Sequence, residues 1–155
     1  MPETPSATPI RIRPLDELDI GAIVAIDERI GGRYRPEVWE RRIGYYIRRD
    51  PEGSRVAELD GKVVGFMLGE VRSGEFGLEE PTGWIEVLGV DPDYRSAGIG
   101  RRLAESILGH FRAQGATTVR TLVDEGMEEI GRFFASLGFE PAPLQPFVKR
   151  LAGES

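Results

Sequence analysis

The feature that most constrains this chain is an apolar run, WIEVLGV (84–90), which leads through the turn DPDYRSAGIG (91–100) into a helical pattern. From Gly98 onward apolar residues recur at helical spacing until Gly115, a residue type that commonly ends a helix. A strand that passes through a glycine turn into a helix directs free backbone N–H groups and the positive helix end at one place. Gly98 and Gly100 would let a ligand approach the backbone without a Cβ in the way. The pattern therefore predicts a site for an anion such as phosphate.

The charge distribution around this turn differs from that of the whole chain. The formal net charge is -6 and the sequence pI is about 5.0, so the chain has no overall attraction for nucleic acid or an anionic membrane. Arg95, Arg101 and Arg102 nevertheless fall in an eight-residue window without an acidic residue. The alternative is that the glycines only close a turn and the arginines form a solvated surface. A Walker loop is excluded because its Gly-Lys-Ser/Thr ending is absent, and a dinucleotide fingerprint because Leu103 replaces its third glycine.

Composition excludes several other kinds of chemistry. The chain has no cysteine, which rules out disulfides, thiol nucleophiles and Cys-ligated zinc. The single histidine, His110, cannot form a histidine metal site by itself, and we expect it to be structural and the protein to hold no metal. Apolar runs are short and interrupted by charge, and no signal peptide is recognisable. We therefore expect a soluble, cytoplasmic protein that binds neither membranes nor nucleic acid.

The length of 155 residues suits one globular domain. Residues 1–9 are rich in proline and threonine and are expected to form a disordered tail, residues 10–151 a single domain, and residues 152–155 a second tail. The segment at 10–13 alternates like a short strand, and Asp60-Gly61 between two β-rich runs predicts a hairpin. A second helix should begin at Pro36 and end before Pro51. A first helix should precede it, with an apolar face made of Leu15, Leu18, Ala22, Ile26 and Ile30.

The C-terminal third continues the alternation of strand and helix. The β-branched run TTVRTLV (117–123) predicts a strand, and the next helix should carry Phe134 on its apolar face and stop at Gly138. The segment FEPAPLQPFVKRL (139–151) offers one or two edge strands, because its prolines forbid a central position. The order of elements predicts an α/β fold with a mixed sheet and helices on both faces.

The segment Val90 to Gly100, followed by a helix, a strand, a second helix and Leu137-Gly138-Phe139, resembles the GCN5-related N-acetyltransferase (GNAT) superfamily. The glycine turn matches that family's R/Q-x-x-G-x-G/A signature. The resemblance implies a mostly antiparallel central sheet of six to seven strands that splays open beside the strand before the turn. It also implies that acetyl-CoA or coenzyme A is the cofactor. Its pyrophosphate would bind at Arg95, Ser96, Ala97, Gly98, Ile99, Gly100 and Arg101, and its pantetheine arm would pair with Leu88, Gly89 and Val90 like an added strand.

The resemblance also suggests how acyl transfer would proceed. Glu86 is the candidate general base, and alternation places it on the same side of its strand as Trp84, Leu88 and Val90, in an apolar setting. Alternatively, a bulge turns Glu86 to solvent or toward an arginine. The oxyanion donor would be a backbone N–H near Gly89 or Val90.

The last helix departs from the family pattern. Many members have an asparagine there and, seven residues later, a tyrosine that protonates the leaving thiolate, whereas this chain has Met127 and Phe134. Phe134 is expected to line the cofactor site but cannot act as an acid. Water would replace the missing acid, or a tyrosine from elsewhere, namely Tyr45, Tyr46 or Tyr94.

Three functions follow in order of preference. The first is an N-acyltransferase that moves an acetyl group from acetyl-CoA to a primary amine in a ternary complex. The second is a weakly catalytic or non-catalytic acyl-CoA-binding regulatory module, and the third is a nucleotide-binding protein of another fold. The acceptor would be a small-molecule or protein amine, and a homodimer is a candidate assembly. The resemblance implies that the first two helices and the loop between the third and fourth strands shape the acceptor site. The charges of these segments conflict, because Glu75, Glu79 and Glu80 suit a cationic amine whereas Arg33, Arg35, Arg41 and Arg42 suit a carboxylate.

Overall fold

We describe the protein from a computed structural model, which covers residues 9–74, 77 and 80–152, without the side chain of residue 96. The chain divides after Leu122 into two compact units, Met1–Leu122 and Val123–Ser155. The prediction of one domain over 10–151 with tails at both ends stays a prediction.

The first unit contains a sheet and three α-helices. The strands are β1 (Arg11–Pro14), β2 (Arg55–Leu59), β3 (Lys62–Arg72), β4 (Thr82–Val90) and β5 (Thr118–Thr121), and the helices are α1 (Ile20–Gly31), α2 (Pro36–Arg49) and α3 (Ile99–Ala113). Short 3-10 turns at Glu17–Asp19, Pro51–Gly53 and Pro92–Ala97 precede α1, β2 and α3. The predicted second helix and the predicted helix after Gly98 are both confirmed.

The sheet is mixed and mostly antiparallel, as predicted, with the strands in sequence order. β1 to β4 pair antiparallel, and β5 joins β4 in parallel. The predicted hairpin turn joins β2 to β3, with both of its central residues at positive φ, 54° for Asp60 and 77° for Gly61.

Helices cover both faces of this sheet. Phe66 of β3 packs edge to face on Trp39 of α2, with ring centroids 5.5 Å apart. On the opposite face, a Cβ at Gly65 would lie 2.9 Å from Ile99, so the absence of a side chain there lets the start of α3 sit directly on the sheet. Gly65 therefore allows α3 to begin close to the start of β3 and the C-terminal end of β4.

Two predictions about the strands and the first helix are wrong. The described residues form five strands, not six to seven, and residues 139–152 add none of the expected edge strands. Three prolines in that segment remove backbone donors that a strand would need. Leu18 and Ile30, expected on the apolar face of the first helix, are exposed, because a 3-10 turn precedes α1 and the buried face is instead formed by Ile23, Val24 and Ile26.

The second unit contains α4 (Glu128–Ser136), which Gly138 follows at φ 94°. Phe134 is buried and packs against Phe133 and Phe139, with centroids 5.1 Å away in each case. In the part of the chain that is described, no helix is both long and apolar enough to cross a membrane.

Candidate active site

The predicted anion site lies where β4 passes into α3. The buried carboxylate of Asp91 accepts a hydrogen bond from the Asp93 backbone N–H at 3.0 Å and so caps the 3-10 turn. Gly98 follows in the left-handed conformation, with φ 73°, and forms the N-cap of α3 without a side-chain cap. A Cβ at Gly98 would meet no atom within 4 Å, so the turn is open to a ligand on that side. The first turn of α3 has no acidic residue, which leaves its positive end unneutralised.

A salt bridge ties this turn to the first helix. Arg29 of α1 contacts Asp91 at 2.6 Å and Asp93 at 3.0 Å. The Asp91 backbone N–H also donates to Val64 O at 2.8 Å, which anchors the turn to β3. The predicted cradle, from Arg95 to Arg101, therefore begins in a turn that is held from two sides and continues into the first residues of α3.

β4 has an open edge just before this turn. β5 pairs with β4 only from Thr82 to Ile85, and Thr121 Oγ1 donates to Ile85 O at 2.8 Å where the pairing ends. No described strand pairs with the same edge over residues 86–90. Because Asp91 points its N–H toward β3, alternation turns the backbone of Val90 and Leu88 to the open edge, where Arg95 Nε lies 3.4 Å from Val90 O.

A β-bulge at Glu86 changes the side-chain directions of β4. Leu68 pairs with Val87 and Gly69 with Ile85, so Glu86 is an extra residue without a partner on β3. Both Glu86 and Val87 consequently line the same pocket, although they are neighbours in the chain. The expectation that Glu86 shares an apolar side with Leu88 and Val90 is wrong, and the alternative, a bulge that turns Glu86 toward an arginine, is confirmed.

Gly69 and Ser54 stabilise the bulge. A Cβ at Gly69 would lie only 2.3 Å from Trp84 O, so no other residue fits there without a shift of the strand. The Gly69 N–H donates to the fully buried Ser54 Oγ at 3.0 Å instead of to a ladder partner. A glycine inside a long apolar strand is itself a signal for a bulge.

Two donors hold one oxygen of Glu86. Tyr46 Oη donates to Glu86 Oε1 at 2.5 Å, and Arg72 Nη2 donates to the same oxygen at 2.6 Å. The other oxygen, Oε2, has no hydrogen bond to a described residue. The carboxylate is therefore fixed in position while one oxygen stays available, and its side chain is 34% exposed.

A second carboxylate supports this arrangement from behind. Glu70 is 1% exposed and binds Arg72 at 2.7 Å, Arg49 at 2.9 Å and Tyr45 Oη at 2.7 Å. Burial opposes ionisation of Glu70, but the hydrogen bonds from Tyr45, Arg72 and Arg49 outweigh it and lower the pKa of the carboxyl below its ordinary value. An ionised Glu70 in turn holds Arg72 against Glu86.

Tyr46 is a permanent donor to Glu86. Burial, together with the hydrogen bond to Glu86 and the charges of Glu86 and Glu70, raises the pKa of Tyr46 well above its ordinary value. A phenol in this state keeps its proton at any physiological pH. Tyr46 therefore orients Glu86 and is a weak candidate for the acid that the sequence lacks.

These groups form one wall of a pocket of about 600 Å³ between α2, the C-terminal end of β3 and the bulge in the middle of β4. Its lining combines three arginines, one carboxylate, two tyrosines and two valines: Arg41, Arg42, Arg72, Glu86, Tyr45, Tyr46, Val38 and Val87. A volume of this size accommodates a small organic molecule.

The structure brings some predicted site residues together and separates others. Glu86, Leu88, Gly89 and Val90 follow one another on β4 and lead into the predicted cradle, all within the first unit. Phe134 belongs to the second unit, and its role in cofactor binding stays a prediction. His110 Nε2 hydrogen-bonds the Asp50 carboxylate oxygen Oδ2 at 2.7 Å, a contact between α3 and the end of α2 that fits the expected structural role.

Sequence reasoning missed the residues that hold Glu86. The sequence predicted Tyr46 only as one of three possible substitute acids, and it predicted no role for Arg72 or Glu70. Glu70 and Arg72 alternate with apolar residues at the end of β3, and a glutamate inside an apolar strand was the available signal. Among the described residues no cluster of three or more metal-ligating side chains occurs.

Comparison with known proteins places this arrangement in a family. Mycothiol acetyltransferase of Thermobispora bispora is 40% identical over 90 residues, which cover 58% of this chain and 30% of that protein. The enzyme of the same name from Thermobifida fusca is 40% identical over 95 residues, or 59% of this chain and 29% of that protein. The match thus spans about 30% of the length of these curated relatives.

Solved structures agree on the fold. An aminoglycoside N-acetyltransferase, AAC(6')-Iy, solved in complex with CoA, has a TM-score of 0.82 over 97% of this chain and 100% of its own, at 16% identity. Ard1 from Thermoplasma volcanium has a TM-score of 0.72 at 27% identity, over 84% of this chain and 82% of its own. The sequence profile of the Acetyltransferase (GNAT) family matches residues 22–139, and the chain therefore belongs to that family.

Proposed function

We propose that the chain is an acetyl-CoA-dependent N-acetyltransferase that acts on a primary amine by direct transfer in a ternary complex. The observation that carries this proposal is the arrangement along β4: a fixed carboxylate, then an open strand edge, then a helix N-terminus. These are the groups needed to meet, in the same order, an amine, the amide-bearing arm of coenzyme A and its pyrophosphate. The acetyltransferase names of the relatives and the CoA complex of a structural neighbour support it.

The cradle fits the cofactor on chemical grounds. The backbone of residues 95–101 would bind the pyrophosphate through the first turn of α3 and the arginines beside it. The Leu88 and Val90 backbone groups at the open edge would hydrogen-bond the two amides of the pantetheine arm. An acetyl group attached to that arm would then lie close to Glu86, and the Val90 N–H at the open edge would be a candidate donor to the developing oxyanion, whereas the Gly89 N–H faces β3.

Glu86 would act as the general base. The amine reaches the site as an ammonium ion and transfers a proton to Glu86, directly or through a water molecule. Its nitrogen lone pair then attacks the thioester carbonyl carbon, a C–N bond forms, and the C–S bond breaks as the sulfur takes the bonding electrons. The nitrogen releases its second proton to a water molecule as the amide forms. The products are the acetamide and the thiolate of coenzyme A. Tyr46 and Arg72 would hold Glu86 Oε1 throughout, leaving Oε2 to receive the proton.

The leaving group does not require a strong acid. A thiol has an ordinary pKa of about 8.5, so its thiolate leaves readily and takes a proton from solvent afterwards. The absence of a tyrosine at Phe134 would therefore lower the rate, by up to about 10²–10⁴-fold, without abolishing transfer.

The departure at Phe134 also motivates a second candidate, an acyl-CoA-binding regulatory module without efficient chemistry. The two candidates differ in turnover, because both predict binding of coenzyme A. The third sequence-based hypothesis, a nucleotide-binding protein of another fold, is wrong, since the family and fold are those of GNAT proteins.

The test combines binding and turnover. We expect coenzyme A and acetyl-CoA to raise the melting temperature, NAD to have no comparable effect, and some amine in a broad panel to accelerate CoA release. Because the chain has no cysteine, a thiol reagent reports only the released CoA. Stabilisation by CoA without amine-dependent release would favour the binding module, and turnover that Glu86→Gln abolishes would exclude it.

A further inference from the structure

The opposing charges that the sequence places near the acceptor are not equally available in the structure. Arg35 is held by Asp27 through two hydrogen bonds of 2.8 and 3.2 Å. Glu80 accepts from Thr117 Oγ1 at 3.1 Å and does not line the pocket, while residues 75 and 79 lie outside the described residues. Arg41 and Arg42, in contrast, both line the pocket.

The cations that line the pocket are only partly neutralised. Arg72 contacts the carboxylates of Glu70 and Glu86, so its charge is balanced. Neither Arg41 nor Arg42 forms an ion pair with a carboxylate in the described part of the chain, and Arg42 stacks on Trp39 at 5.5 Å. Arg41 therefore faces the cavity without a described partner of opposite charge. Arg42 has only the attraction of Asp27, which helps to lower the pKa of that carboxyl but is directly hydrogen-bonded to Arg35.

The helix sets the spacing between these cations and the base. Arg42 lies four residues before Tyr46, the residue that holds Glu86, which is about 6 Å along the axis of α2. Side chains lean toward the helix N-terminus, which moves the guanidinium no nearer to Glu86. An acceptor that reaches both groups must separate its two ends by several bonds.

We propose that the acceptor is a primary amine that also carries a carboxylate or phosphate group, with the amine at Glu86 and the anion at Arg41 and Arg42. This inference rests on the proposed acetyltransferase function and specifies its substrate class. Guanidinium groups suit both anions because they offer paired N–H donors in one plane. The amine and the anion are separated by about the length of a four- to six-atom chain, which excludes α-amino acids as the best substrates.

The experiment compares acceptors of equal length and different end groups. Acetylation with acetyl-CoA is measured for ε-aminocaproate, 4-aminobutyl phosphate, hexylamine and hexamethylenediamine, with glycine as a short anionic amine. We expect kcat/KM for the better anionic amine to exceed that of hexylamine at least ~10-fold, the value of one charge-assisted hydrogen bond. The carboxylate and phosphate arms identify which anion the site prefers.

Variants locate the effect. The double variant Arg41→Gln/Arg42→Gln should lose the preference for the anionic amine through a higher KM. Arg48→Gln is the matched control, since Arg48 is exposed on the same helix and does not line the pocket. Melting temperatures establish that each variant is folded.

Four outcomes overturn the inference. Faster acetylation of hexylamine or the diamine contradicts it, as does an anion preference that survives in the double variant. If no amine is acetylated but CoA still stabilises the protein, calorimetry with ε-aminocaproate and hexylamine on the CoA complex decides, and equal affinities contradict it. If CoA has no effect on stability either, the proposed function has failed together with this inference, and that result is distinguishable from the others.

Discussion

Replacing Glu86 by glutamine removes the proposed base and little else. The amide has the same shape as the carboxylate, and its oxygen can still accept from Tyr46 and Arg72, the two donors that now meet Oε1. The side chain is 34% exposed, so the variant should fold with a melting temperature close to that of the natural chain. A change in activity then reports proton transfer.

The size of the effect follows from the acid–base chemistry of the acceptor. An alkyl amine has a pKa of about 10.4, so at about pH 7.4 roughly one molecule in a thousand is neutral and able to attack. Without a base, reaction depends on that fraction alone. We expect Glu86→Gln to lower kcat/KM by about 10²–10³-fold at neutral pH, within the usual range for a general base.

The pH dependence separates this explanation from a structural one. The neutral fraction of the amine rises about tenfold per pH unit below its pKa, so kcat/KM of Glu86→Gln should rise with that slope between about pH 7 and 9. The kcat/KM of the natural chain should rise less steeply, so the difference in kcat/KM between the natural chain and the variant should shrink as the pH increases. The assay is release of CoA with a thiol reagent, and Glu80→Gln, a carboxylate outside the pocket, is the control. The assignment of Glu86 as the base would be refuted if the ratio of kcat/KM between the natural chain and the variant stayed constant with pH. It would also be refuted if the variant were as active as the natural chain at neutral pH.

Three further predictions concern the cradle, the positioning residue and the buried carboxylate. Gly98→Trp should abolish the rise in melting temperature caused by CoA, whereas Gly32→Trp, at φ 78° in equally open space after α1, should keep it; an undiminished rise in Gly98→Trp contradicts the cradle. Tyr46→Phe should lower kcat by about tenfold while the pH slope stays that of the natural chain, because one hydrogen bond to Glu86 is lost and the base remains; a slope like that of Glu86→Gln would show that Tyr46 itself transfers the proton. Glu70 has a lowered pKa in the folded state, so the stability it contributes is present above its ordinary value of 4.5 and is lost as pH falls toward the folded value. Glu70→Gln should therefore cost about 1–3 kcal/mol at neutral pH and show a shallower loss in acid, measured by urea unfolding, and an unchanged acid slope contradicts this.

Local chemistry explains which parts of the fold were predictable. The turn at Asp60-Gly61, the proline start of α2 and the glycine start of α3 each depend on residues that are adjacent in sequence. The failures come from contacts between distant segments. The face on which Glu86 lies depends on Gly69 and on Ser54, which is fifteen residues away from Gly69 and takes its N–H.

The candidate site was predictable to the same extent. The cradle is a continuous segment, so its residues could be named from the sequence. The groups that hold Glu86 come from α2 and β3, and only the folded chain brings Tyr46 and Arg72 to one oxygen. The edge strands predicted in residues 139–151 are absent for a different reason, since an apolar pattern interrupted by prolines does not specify a partner strand.

The bulge in β4 has a consequence for how this protein evolves or is redesigned. It gives the strand two adjacent side chains on one pocket wall, so Glu86 and Val87 are separate positions with separate duties. Replacement of Val87 by a larger or smaller residue would reshape the wall without touching the donors to Glu86. The range of acceptors and the rate of catalysis could then change independently of each other. A library of variants randomised at Val87 alone is therefore an efficient way to search for new acceptors.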